Sequence, residues 1–183
     1  MNLNLTTKER SLLQDQKNHE EICVQKYADY ANQASDQQLR DLFSQLGQKE
    51  QEHLNTINQL LNGQMPNLNQ NQQGGNMAQS AQQQQGRSMP QMQQNQAQPQ
   101  RQQAQTPQFQ LDNTLTPGHA PDQNLCNDML MTEKYVSGTY DTAIFEFRDP
   151  QIRQVLNHIQ TEEQQHGEAI FNYMQSMGMY NPQ

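Results

Sequence analysis

Glu50-Gln51-Glu52-His53 and Glu163-Gln164-Gln165-His166 are two Glu-x-x-His motifs, one in each half of the chain. On a helix this spacing puts carboxylate and imidazole on one face, a turn apart. A further glutamate precedes each motif at the same distance, Glu20 ahead of the first and Glu133 ahead of the second. One glutamate from each of two helices, with Glu-x-x-His from each of two others, is the donor set of a carboxylate-bridged two-metal site in a four-helix bundle. The candidate metal ligands are therefore Glu20, Glu50, His53, Glu133, Glu163 and His166. These donors suit a pair of divalent ions, iron or manganese, with zinc also compatible. A single Glu-x-x-His carries little weight, because the spacing is common on helix surfaces. Two of them with matching upstream glutamates carry much more. The plainer alternative is a bundle in which these groups satisfy one another without metal. No separate catalytic residue is assigned.

The elements that must position these residues follow from an internal repeat. A shift of 113 residues, which carries Glu50 onto Glu163, also carries Leu12 onto Leu125, Glu20 onto Glu133, Tyr27 onto Tyr140, Asp36 onto Asp149, Arg40 onto Arg153 and His53 onto His166. Present twice, so long a unit reads as two helical hairpins facing each other. Thr6-x-x-Glu9 is a capping box that starts helix 1, whose apolar stripe runs through Leu13, Glu20, Cys23, Tyr27 and Ala34. Asp36 caps helix 2, whose stripe includes Leu39, Phe43, Leu46, Glu50, His53 and Ile57, and Gly63 closes it. Helix 3 is expected from about Asp122, with Leu125, Met129, Glu133, Val136 and Tyr140 on one face. Asp149-Pro150 caps and opens helix 4, which continues through Ile152, Ile159, Glu163, His166, Ile170 and Met174.

All six candidate ligands fall on these core stripes. An unpaired carboxylate there faces a desolvation cost of several kcal/mol or takes up a proton, so something must compensate it. Tyr27 and Tyr140 follow the upstream glutamates at equal distance and have two readings: core aromatics with a hydroxyl at the rim, or hydroxyls that orient carboxylates. Tyr27 stands about 10.5 Å along the helix from Glu20, too far to serve it. If helices 1 and 3 pack antiparallel, Tyr27 reaches Glu133 and Tyr140 reaches Glu20. Cys23 reads as a small buried hydrophobe, and His19, His119 and His158 as surface histidines.

The chain has 183 residues, of which 32% are hydrophobic, low for a uniformly folded protein. The deficit is local: residues 64–120 are mostly Gln, Asn, Pro, Gly and Ala. Such a segment buries too little surface to offset the entropy of ordering it and reads as a disordered crossover, a spacer or a contact segment whose glutamines suit transglutaminase cross-linking. The organisation is thus hairpin 1 at 5–63, linker at 64–120 and hairpin 2 at 121–178, the two hairpins forming one bundle. A formal charge of −8 argues against nucleic-acid binding, which needs a basic surface. No apolar run is long enough for a membrane span or a secretion signal, which points to synthesis inside the cell. Two cysteines without metal-finger spacing fit a reducing site of synthesis.

With two hairpins and this ligand set, the folded part resembles the ferritin-like superfamily. Within it, Lys26-Tyr27-Ala28-Asp29-Tyr30-Ala31, Thr132-Glu133-Lys134-Tyr135-Val136 and Tyr140-Asp141-Thr142-Ala143-Ile144-Phe145-Glu146 are similar to the spore coat protein F family of endospore-forming bacteria. The expected fold is therefore all-α, a ferritin-like four-helix bundle with one long crossover. The resemblance implies synthesis in the mother cell, deposition in the spore coat, and other coat proteins as partners. It leaves homo-oligomerisation open. Two functions stand: a structural or interaction protein of the coat, which is favoured, and a two-metal redox enzyme of oxidase, peroxidase or catalase-like type.

Overall fold

Four helices build the chain's computed structural model, which describes residues 3–67 and 120–180. The first, α1, spans Thr7–Gln33. Its capping box is complete: Thr6 Oγ1 accepts from Glu9 N at 3.2 Å, and Glu9 Oε2 accepts from Thr6 N at 2.7 Å. Asp36 accepts from Gln38 N and caps α2, Gln37–Leu61. Gly63, with φ 76°, turns the chain off the end of α2, and its carbonyl accepts from Leu3 N. Asp149 accepts from Gln151 N and caps α4, Pro150–Ser176, with Pro150 in the first turn.

The third helix, α3, spans Ala120–Glu146 and so begins two residues before the expected Asp122. Asp122 lies inside the first turn, and its carboxylate crosses to the α1–α2 turn instead. There Oδ1 accepts from Ser35 N at 2.8 Å, while Oδ2 accepts from Ser35 Oγ at 2.7 Å and Asp36 N at 3.0 Å. Glu9 does the same for the α3–α4 turn, accepting from Arg148 N at 3.0 Å. Arg40 then donates to the carbonyls of Ala34 and Ser35, and Arg153 to those of Phe147 and Arg148. The shift that relates the metal-ligand motifs carries Glu9 onto Asp122, Ser35 onto Arg148 and Arg40 onto Arg153. Both turns are therefore clamped by the same device, and each clamp ties one hairpin to the other.

These contacts fix the directions of the helices. The start of α3 lies at the α1–α2 turn, whereas the end of α2 lies at the start of α1. Helices α1 and α3 are antiparallel, as are α2 and α4, and the end of α2 and the start of α3 sit at opposite ends of the bundle. Residues 64–67 carry no helix or strand, and the rest of the expected linker, 68–119, lies outside the described residues. The described residues belong to one compact unit with no strand.

Apolar layers hold the polar level in the middle. Toward the α1–α2 turn, Tyr27, Leu39, Phe43, Cys126, Met129, Ile170 and Met174 form one buried cluster. Toward the other end Leu13, Ile57, Ile152 and Leu156 are also fully buried. Each such large side chain stabilises the fold by about 1.5–3 kcal/mol relative to exposure. Gly47 lets α2 close on α1, since a Cβ there would stand 3.0 Å from Tyr27 Cβ.

Candidate metal centre

Between these layers the four helices deliver Glu20 from α1, Glu50 and His53 from α2, Glu133 from α3, and Glu163 and His166 from α4. None of the six is more than 4% exposed. Donor atoms of Glu20, Glu50, His53 and Glu163 lie within 4.8 Å of one another, and so do those of Glu50, Glu133, Glu163 and His166. Glu50 and Glu163 belong to both groups. The two imidazoles stack with centroids 5.5 Å apart, and both turn Nδ1 inward. His166 Nδ1 stands 2.7 Å from Glu50 Oε1, and His53 Nδ1 3.1 Å from Glu163 Oε1.

The electrostatics of this level show what it requires. Burial, with the Glu50 charge nearby, pushes the Glu20 carboxyl well above its usual range, and burial beside Glu50 does the same to Glu163. Burial also opposes ionisation of Glu50, but the contacts with His166 and His53 outweigh it and hold that group at about 2. Desolvation likewise works against charge on the imidazoles; Glu162, Glu163 and Glu50 lift His53, and Glu133 and Glu50 lift His166, above the ordinary histidine value. The cluster thus balances its charge with shared protons. Even so, Glu20 Oε2, Glu133 Oε2, both oxygens of Glu50 and Glu163, and Nδ1 of both imidazoles make no aligned hydrogen bond. Buried oxygens and ring nitrogens gathered this closely without aligned partners form two groups that could each hold a metal ion.

Partners outside the cluster orient it. Tyr27 on α1 donates to Glu133 Oε1, and Tyr140 on α3 donates to Glu20 Oε1. Burial raises both phenols well above their usual value, so each remains a protonated donor. Sequence reasoning missed Glu162, whose Oε2 lies 2.9 Å from His53 Nε2. That contact assigns the outer nitrogen as donor and leaves Nδ1 facing the carboxylates. The repeat hides Glu162, because the same shift places Lys49 at its counterpart, and Lys49 pairs with Glu52 instead. The two halves are therefore unequal around their histidines.

The remaining candidates fall away from this level. His19 packs edge-on against Tyr135, His158 lies 3.5 Å from Glu162, and His119 lies outside the described residues. Cys23 is fully buried, and burial beside the four carboxylates drives its thiol far up, which suits an inert core residue. A cavity of about 670 Å³ opens between α3 and α4 and reaches Glu133 and Glu163.

Residues 121–183 match the family described as the Coat F domain. No curated protein matches the chain, and no solved structure does.

Proposed function

The second hairpin of this chain carries a Coat F domain, and from that premise we propose that the protein is a structural or interaction component of the spore coat, with a ferritin-like bundle that holds two divalent cations. The observation that supports the metal reading is the sharing of Glu50 and Glu163 between two donor groups. Glu20 and His53 complete one group, and Glu133 and His166 the other. This is the arrangement of two terminal sets around a bridging pair. Bound there, the cations brace all four helices at one level and neutralise the buried carboxylates. Iron or manganese would add redox chemistry, whereas zinc would brace the bundle and supply a Lewis acid without redox chemistry.

Synthesis in the mother cell, deposition in the coat and contact with other coat proteins belong to the same proposal. They rest on the family of the second hairpin. A fluorescent fusion followed through sporulation tests location: a ring at the forespore surface is expected, and a signal that stays diffuse in the mother cell contradicts it. Metal analysis of the protein recovered from spores tests the site, with about two equivalents of metal per chain expected.

A second reading, a two-metal oxidase, peroxidase or catalase-like enzyme, draws support from the cavity that reaches Glu133 and Glu163. An opening of this kind would give a small substrate a path toward the centre. Peroxide consumption by the metal-loaded protein, lost in Glu163→Gln, would favour this reading.

A further inference from the structure

The two hairpins follow one plan, yet they treat the centre differently. In the second hairpin, the cavity wall between α3 and α4 contains Ser137, Gly138 and Gly167, with Glu133 and Glu163 at its inner end. The shift that relates the hairpins places Val24, Gln25 and Leu54 at the corresponding positions of the first. Val24 and Leu54 are half-buried there, side chains standing where the second hairpin has a hydroxymethyl group and a hydrogen.

Packing does not account for the two glycines. Both lie inside helices, where glycine costs about 1 kcal/mol relative to alanine. Neither is a residue with positive φ. A Cβ on Gly138 would meet nothing within 4 Å, and one on Gly167 would make an ordinary contact with Glu133 Cβ at 3.9 Å. A Cβ fits at both positions, and the lack of side chains there leaves the groove open.

The groove ends on groups that attract a cation. Glu133 and Glu163 line the groove, and behind its surface their Oε2 atoms are buried without hydrogen-bond partners. Asp141 and Glu168 stand exposed at its mouth beside a single Lys134. At the corresponding positions the first hairpin has Ala28, Asn55 and Glu21. A cleft with acidic groups from mouth to floor focuses cations inward.

We propose that the α3–α4 groove over Gly138 and Gly167 is the route by which divalent cations reach the buried carboxylates, and that Val24 and Leu54 close the same face of the first hairpin. This rests on the two-metal reading and adds a side to it. Loading enters past Glu133 and Glu163, and the first hairpin serves as the back wall.

The test measures the rate and the endpoint of Co²⁺ uptake by the full chain, followed by visible absorption. Gly167→Leu and the double variant Ser137→Val with Gly138→Gln give the second hairpin residues of the first. Each is expected to slow uptake by roughly 10-fold or more, the low end of what a focusing cleft contributes, with the endpoint unchanged. Leu54→Gly with Val24→Ser, in the Gly167→Leu background, should restore fast uptake through the opposite face. The double variant leaves the helix next to His166 untouched, so it carries the test if Gly167→Leu perturbs folding. An unchanged rate in the double variant, with about two equivalents of Co²⁺ bound at the end, overturns the route and leaves the metal site standing. A parent chain that binds no Co²⁺ overturns both.

Discussion

The Tyr27 hydroxyl on α1 donates to Glu133 on α3, and Tyr140 on α3 returns the same bond to Glu20 on α1. Each tyrosine thus fixes the carboxylate of the opposite hairpin, leaving Oε2 of that glutamate turned to the centre. Removing either hydroxyl frees a carboxylate to rotate while the apolar ring stays packed. Tyr27→Phe and Tyr140→Phe should each lower metal affinity by roughly 10-fold without unfolding the bundle. Competitive titration with a chelator checks this, and unchanged affinity in both variants would reduce the tyrosines to core aromatics.

Glu162 supports His53, whereas Lys49 occupies the related position in the first hairpin and pairs with Glu52. Glu162→Gln should therefore weaken one half of the site by roughly 10- to 100-fold and spare the other. A Co²⁺ titration would then resolve a tight and a weak step. Equal weakening of both steps would show that Glu162 acts through the fold as a whole.

Glu9 makes acid stability testable apart from metal. Burial raises its pKa, but the N–H groups of Arg148 and Thr6, with the Thr6 hydroxyl and the Arg148 guanidinium, bring it down to about 2 from an ordinary 4.5. A folded value below the unfolded one means that the ionised form stabilises the native state. That contribution is complete above about pH 4.5 and disappears as pH falls toward 2. Its size is on the order of 2 kcal/mol, discounted because the Arg148 side chain is 66% exposed. Glu9→Gln should thus be less stable at neutral pH, and the gap should close on acidification. Urea unfolding at several pH values measures it; a gap that is constant with pH would contradict the assignment.

Asp122 clamps the opposite turn through three donors. Asp122→Ala leaves Ser35 N and Asp36 N without these acceptors and should cost roughly 1–3 kcal/mol. Thermal unfolding alongside Glu9→Gln would show comparable losses if the two clamps are equivalent. Little or no loss would mean that water replaces the carboxylate.

What the sequence made legible was local or repeated. Thr6 with Glu9, Asp36 and Asp149 with Pro150 cap helices through bonds to residues two or three positions away, so their spacing carries the information. The six donor residues stood out because each has a partner under one shift and each sits on a core stripe. Glu9 with Arg148 and Asp122 with Ser35 were hidden, since both are bonds between hairpins whose partners no local spacing reveals. The start of α3, expected from about Asp122, lies at Ala120, which puts the Asp122 side chain inside the first turn. In the fold that side chain serves another turn. Glu162 escaped for the opposite reason, being the residue that breaks the repeat. The groove between α3 and α4 was equally hidden, because it consists of side chains that the second hairpin lacks.

The central claim is that Glu50 and Glu163 are shared by two cations. Crystals of the protein grown with Mn²⁺ and measured for anomalous scattering test it most directly. The account predicts two peaks per chain, about 3.5–4 Å apart, both within reach of Glu50 and Glu163, with Glu20 and His53 beside one and Glu133 and His166 beside the other. A single peak, peaks confined to surface carboxylates, or a metal-free cluster at saturating Mn²⁺ would contradict it.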